Sequence, residues 1–178
     1  MASRYGAREP GTDGSDFRYR EQVASKHTTS LAVKGRLKRY FFLNIILSVV
    51  QLILLVVTAL DLVEDATKLQ PAPWQAMWML SGIPSIIGLS ALPKNRSGLL
   101  KIHNAGLIVF GVGGIVWGVV SNYENMVNLW EGNPTEEIFG LPKVLIVYNS
   151  AVVAFALYMS TIFNTRTLLS VWDYRKTR

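Results

Sequence analysis

Residues 40–60 read YFFLNIILSVVQLILLVVTAL, a stretch of 21 residues in which Leu, Ile, Val and Phe fill 15 positions and no charge occurs. A helix on the surface of a soluble domain carries an apolar stripe, whereas this stretch is apolar on every side. At 1.5 Å per residue it spans about 32 Å, close to the thickness of a bilayer's hydrocarbon core. Three further runs share the property, residues 74–92, 102–120 and 144–163. The chain holds 18 Lys and Arg and 12 Asp and Glu, and none of them falls inside the four runs. The expected fold is all-α, a polytopic membrane protein with four transmembrane helices. The expected organisation is a partly disordered amino-terminal segment (1–39), a four-helix bundle (40–163) and a carboxy-terminal tail (164–178).

Charge placement orients the bundle. The amino-terminal segment, the loop between the second and third runs and the tail together carry 16 Lys and Arg against 5 acids. The other two loops carry 2 Lys, Lys68 and Lys143, against 7 acids: Asp61, Glu64, Asp65, Glu124, Glu131, Glu136 and Glu137. Basic flanks are retained in the cytosol, so both termini are expected there. No apolar stretch precedes residue 40, so the first run is expected to act as an uncleaved targeting signal. The net charge of +6 therefore reports topology and attraction to anionic lipid rather than nucleic acid. No basic surface interleaved with aromatics for stacking bases is visible.

Several chemistries are excluded or disfavoured. The chain has no cysteine, so disulfides, thiolate metal sites and cysteine nucleophiles are impossible. Ionisable groups inside a membrane mark catalytic or transport sites, and the four runs carry no acid or base beyond His103. His27 and His103 lie in different segments without further ligands at metal spacing. No catalytic residue, metal or cofactor is expected. Asn95-Arg96-Ser97 matches a glycosylation acceptor but is placed on the cytosolic side, and Asn133-Pro134-Thr135 carries the disqualifying proline, so no glycan is expected.

The four runs differ. In the first, Asn44, Ser48 and Gln51 share one face, expected to turn inward as a packing seam. The second places Trp74 and Trp78 at its lumenal end, where indoles favour the interface. It also aligns Ser81, Ser85 and Gly88 beside Pro84, which can kink a helix. The third aligns Gly111, Gly114 and Gly118, a smooth face for close helix contact, within the bundle by default and between copies as the lesser reading. The fourth carries Asn149, Ser150 and Ala154. An alternative function is a small facilitative transporter or pore lined by Asn44, Gln51, Asn104 and Asn149. At the carboxy terminus Arg175 and Lys176 stand fourth and third from the end, resembling the dilysine class of retrieval signal that coatomer reads. Phe17, Val23, Leu31 and Leu37, spread among charges, permit a surface-lying helix.

Certain residues also resemble the Jagunal family. They are Met1-Ala-Ser-Arg4, Gly11-Thr-Asp-Gly-Ser-Asp-Phe17, Arg20-Glu21, Val23-Ala24, Trp74, Leu80-Ser-Gly-Ile-Pro-Ser85, Gly88-Leu89, Pro93-Lys-Asn95, Leu168-Leu169 and Trp172. The resemblance implies a four-span endoplasmic reticulum membrane protein with cytosolic ends. It also implies a part in reticulum organisation and in vesicle traffic of the early secretory pathway, without catalytic activity. The glycine run of the third helix is not a feature the resemblance would have led one to expect.

Overall fold

A computed structural model of the chain describes residues 15–60, 72–133, 136–138 and 140–173. The amino-terminal signature before Ser15, the acidic first loop and the end of the tail, including Arg175 and Lys176, lie outside the described residues. Helix α1 runs without interruption over Ser15–Ala59, 45 residues. The first apolar run is therefore only its second half. Residues 15–39, part of the segment 1–39 expected to be partly disordered and permitting a surface-lying helix, are continuous with it. No proline occurs between Pro10 and Pro71, and Val33 and Leu37 are buried, Leu37 completely, so both chain chemistry and packing favour one helix.

The second run departs from expectation. It forms two helices, α2 (Pro73–Leu80) and α3 (Gly82–Ala91), separated by a turn at Ser81. Pro84 has no N–H to offer the Leu80 carbonyl four residues earlier, so the ladder fails there. At the other end Pro73 occupies the first turn, and the Ala72 amide donates to Gln75 Oε1 at 3.0 Å. The third run is α4 (Ser97–Gly106), a π-helical stretch Leu107–Val112, and α5 (Gly113–Ser121). The fourth is α7, Lys143–Asp173. Among the described residues three helical stretches are long and apolar enough to cross a membrane: Val23–Val57, Ser97–Ser121 and Lys143–Trp172. The broken second run is not one of them.

Between α5 and α7 a plain loop was expected. Instead it contains a short helix, α6 (Tyr123–Trp130), and an antiparallel pair, β1 (Glu137–Ile138) and β2 (Leu141–Pro142), in register Glu137 to Pro142 and Ile138 to Leu141. Gly140 takes φ +75 in the connecting turn, a conformation open to glycine at little cost. Lys143 and Glu136 close the base of this hairpin with an ion pair at 2.8 Å.

The helices form one bundle in which α1 packs on α7, α3 and α2, α3 pairs with α4, and α5 sits between α2 and α7. Its exterior is apolar and its centre is partly polar. On α1, Ile46 and Ile53 are 57% and 55% exposed while Asn44 is fully buried. Soluble proteins rarely expose so continuous an apolar surface, but a bilayer solvates it. Two apolar clusters fill the interior. One joins Trp74, Trp78, Leu107, Ile115, Val147, Ala151, Ala154, Tyr158 and Ile162. The other joins Val33, Leu37, Phe41, Ala91, Leu92, Leu100, Leu168 and Trp172.

Candidate functional site

Following each element from one cluster to the other crosses a band of buried polar residues. Ser81 and Ser85 lie between Trp78 and Ala91, His103 between Leu100 and Leu107, and Thr161 and Thr165 between Tyr158 and Leu168; on α1, Asn44 and Ser48 follow Phe41. The bundle is thus layered: apolar, polar, apolar. Tyr158 is fully buried on the edge of the layer, and its hydroxyl accepts from Trp78 Nε1 at 2.6 Å and pairs with Ser81 Oγ at 2.8 Å. One tyrosine on α7 therefore holds both the end of α2 and the break at Ser81. Ser48 donates to the Met79 carbonyl from α1, also beside the break. Asn44 Nδ2 reaches Thr161 Oγ1 at 3.4 Å.

His103 crosses the layer from α4. Its Nδ1 lies 2.7 Å from the Pro84 carbonyl, an acceptor, so Nδ1 carries the proton and Nε2 is left as an acceptor. The ring packs edge-on to Phe41 with centroids 4.5 Å apart. Nε2 has no hydrogen-bond partner, and the same holds for Asn44 Oδ1, Asn104 Oδ1 and Thr165 Oγ1. Such groups are costly in an apolar medium and rigid only when their neighbours hold them. Among the described residues no group of three metal-ligating side chains occurs.

The predicted small-residue positions all lie in the interior, the glycines each against a bulky residue of the same chain. A Cβ on Gly118 would sit 2.8 Å from the Trp74 ring, one on Gly114 3.2 Å from the Trp78 backbone, and one on Gly111 3.0 Å from the Tyr158 ring. One on Gly88 would meet Phe41 at 2.9 Å and His103 at 3.0 Å. Ser81 and Ser85 are fully buried, and Ser85 Oγ bonds back to the Ser81 carbonyl at 3.4 Å. This placement also accounts for the two tryptophans expected at the lumenal end of the second run. Trp74 and Trp78 are 6% and 2% exposed, because the glycine face of α5 leaves slots of indole width.

The residues of the pore alternative are not gathered on one water-accessible lining. Asn44 is sealed in the layer, Gln51 and Asn104 are half-buried, and Asn149 is exposed with its amide bonded to the Leu145 carbonyl of its own helix at 2.9 Å.

Below the second cluster lies a basic end. Arg36, Lys38 and Arg39 on α1, Lys94 and Arg96 in the turn after α3, Lys101 on α4 and Arg166 on α7 are all exposed. Helix ends here are fastened to one another. Lys34 Nζ donates to Asn95 Oδ1 at 2.5 Å and lies 5.6 Å from the centre of the Trp172 ring, whose Nε1 donates to Ser30 at 3.4 Å. Asn95 adopts φ 50, a left-handed turn position that asparagine tolerates. Neither Trp172 nor Ser30 was singled out for this contact in the sequence, and nothing in its periodicity signals a pairing across 142 residues. His103 is legible in the sequence as the one imidazole inside an apolar run. Its proline partner is not.

The described fold is thus a helical bundle with membrane-length helices, a buried polar layer and a cationic end. The family model described as "Jagunal, ER re-organisation during oogenesis" matches residues 1–176. Protein jagunal homolog 1-B of Danio rerio is 34% identical over 97% of this chain and 94% of its own length. Protein jagunal homolog 1 of Homo sapiens is 28% identical over 97% and 94%, and protein jagunal of Drosophila melanogaster 27% identical over 98% and 96%. The chain belongs to the Jagunal family.

Proposed function

We propose that the protein is a non-enzymatic scaffold of the endoplasmic reticulum membrane, supporting reticulum organisation and vesicle-mediated transport in the early secretory pathway. The observation that carries this reading is the whole-length match to a family described by reorganisation of the reticulum. The lipid-solvated exterior and the fastened basic end support it. In this reading the chain crosses the membrane four times, with α2 and α3 together making the second crossing, and both termini are cytosolic. Spanning in two pieces is tolerated because the interruption is covered by protein: Tyr158, Ser48 and His103 bond at or next to it.

The working parts are then the bilayer-facing exterior and the cytosolic basic end. Each Lys or Arg held near an anionic leaflet contributes about 1 kcal/mol of attraction, and the fastening of α1, the 93–96 turn and α7 presents these charges as one rigid surface. The tail beyond it offers Arg175 and Lys176 to coatomer as a retrieval signal. Replacing both, Arg175→Ala with Lys176→Ala, is expected to shift the protein from the reticulum to the Golgi or the cell surface in fluorescence microscopy. An unchanged distribution removes the retrieval signal from the mechanism and leaves the scaffold to stand on its membrane contacts.

A further inference from the structure

Helix α6 has no role in the bundle core. None of its eight residues is buried, yet its sequence, Tyr123-Glu-Asn-Met-Val-Asn-Leu-Trp130, is sharply two-sided. At 100° per residue Tyr123, Met126, Val127, Leu129 and Trp130 fall on one side of the helix, and Glu124, Asn125, Asn128 and the following Glu131 on the other. Trp130 is 88% exposed and Tyr123 65%. Water does not hold two such rings exposed on one short helix without an energetic cost, and nothing else among the described residues covers them.

Position supplies the missing surface. Ser121 ends the membrane-length stretch Ser97–Ser121, and only the turn at Asn122, with φ −103 and ψ 10, separates it from α6. The turn is pinned: Asn122 Nδ2 donates to the Gly118 carbonyl at 2.8 Å, and Tyr148 Oη to that of Val119 at 3.1 Å. Immediately before the turn Val116, Trp117 and Val120 are 55%, 45% and 67% exposed on the outer face of the bundle. The apolar face of α6 thus continues an apolar exterior that hydrocarbon must cover, at the level where the span ends. Its far end is closed by Gly132 at φ +77 and by Asn133 donating to Glu131 at 3.2 Å, and both Glu124 and Glu131 are exposed.

We infer that α6 is an interfacial helix lying on the acid-rich side of the membrane, with Tyr123, Val127 and Trp130 in the headgroup layer and Glu124, Asn128 and Glu131 in water. Tyrosine and tryptophan are the residues that favour this layer, and amphipathic helices of this kind sit about 5–10 Å into it. The partner is a lipid surface, and the chain reaches it on one leaflet with a wedge of aromatic side chains. This rests on the membrane-spanning reading of Ser97–Ser121, which the experiment tests separately.

The chain has no cysteine, so single nitroxide labels can be placed cleanly. Full-length protein is reconstituted in phosphatidylcholine vesicles with labels at Glu124→Cys, Val127→Cys, Asn128→Cys or Trp130→Cys, and at Val120→Cys as the span control. Oxygen partitions into lipid and a nickel chelate stays in water. The expected result is a collision ratio favouring oxygen at 120, 127 and 130 and favouring nickel at 124 and 128. The Val127 label keeps Trp130 in place, so loss of the anchor in the Trp130 variant cannot mimic a negative. Nickel contact at all four α6 positions with an oxygen-only Val120 overturns the inference while leaving the span intact. Shielding of 127 and 130 from both reagents also overturns it, in favour of a protein contact. Nickel contact at Val120 removes the span and the inference together.

Discussion

Tyr158 shows how one side chain can decide a helical bundle. Its ring fills the space that Gly111 leaves, with 3.0 Å to the position a Cβ would take, and its hydroxyl serves the Trp78 indole of α2 and the serine at the break that follows it. Tyr158→Phe keeps the ring and removes the acceptor, leaving Trp78 Nε1 buried and unsatisfied. The expected loss is about 1 kcal/mol, the scale of interhelical hydrogen bonds in bilayers, read as a lower unfolding midpoint in detergent. No shift would show that Trp78 finds another acceptor. His103 is the second deciding residue, since one ring nitrogen holds the Pro84 carbonyl while the other faces no partner. The sequence marks it as a histidine without further ligands at metal spacing, but its place at the centre of a polar layer follows only from the packing of four elements.

At the scale of elements, the second apolar run is the instructive case. Hydropathy counts it as one span, whereas backbone hydrogen bonding divides it at Ser81. Pro84→Ala returns a donor to the Leu80 carbonyl and should let α2 and α3 join. Slower amide exchange over residues 81–85 is the measurement that checks it. The ring lost at 84 is also the surface against which Gly106 packs, where a Cβ would lie 2.6 Å from Cγ. A small net loss of stability is therefore expected together with the slower exchange, because the healed ladder and the new gap oppose each other. Exchange as fast as in the parent chain would move the cause of the break from proline to tertiary packing. The glycine face of α5 was legible as a close-packing surface, but its occupants were not: sequence spacing shows that a slot exists and is silent on which ring enters it.

For the whole molecule, the asymmetry of charge predicts the orientation proposed above, and that orientation has a direct test. Glu137 and Lys94 are both exposed, on the acid-rich and basic ends. In sealed microsomes, a cysteine at Lys94→Cys is expected to react at once with a membrane-impermeant maleimide, whereas one at Glu137→Cys is expected to react only after detergent. The reverse pattern would invert the proposed topology and place the tail in the lumen. Each end also has its own build. The basic end is fastened by Lys34, Asn95, Ser30 and Trp172 into a rigid surface, while the acid-rich end carries α6 and a small hairpin.

The sequence alone determined the helical class, the apolar exterior, the sidedness of charge and the family, because each is a property of composition or of local pattern. Length, hydropathy and charge act through the solvent, so they can be read without knowing any contact. The break at Ser81 was half legible: proline announced it, but its sealing by Tyr158, Ser48 and His103 comes from helices remote in the chain. The burial of Trp74 and Trp78, the polar layer and the clasp between Ser30 and Trp172 were decided only by tertiary structure. In a bilayer hydrophobicity no longer separates inside from outside, so the choice falls to shape and to hydrogen-bond partners. Those exist only once the helices have met.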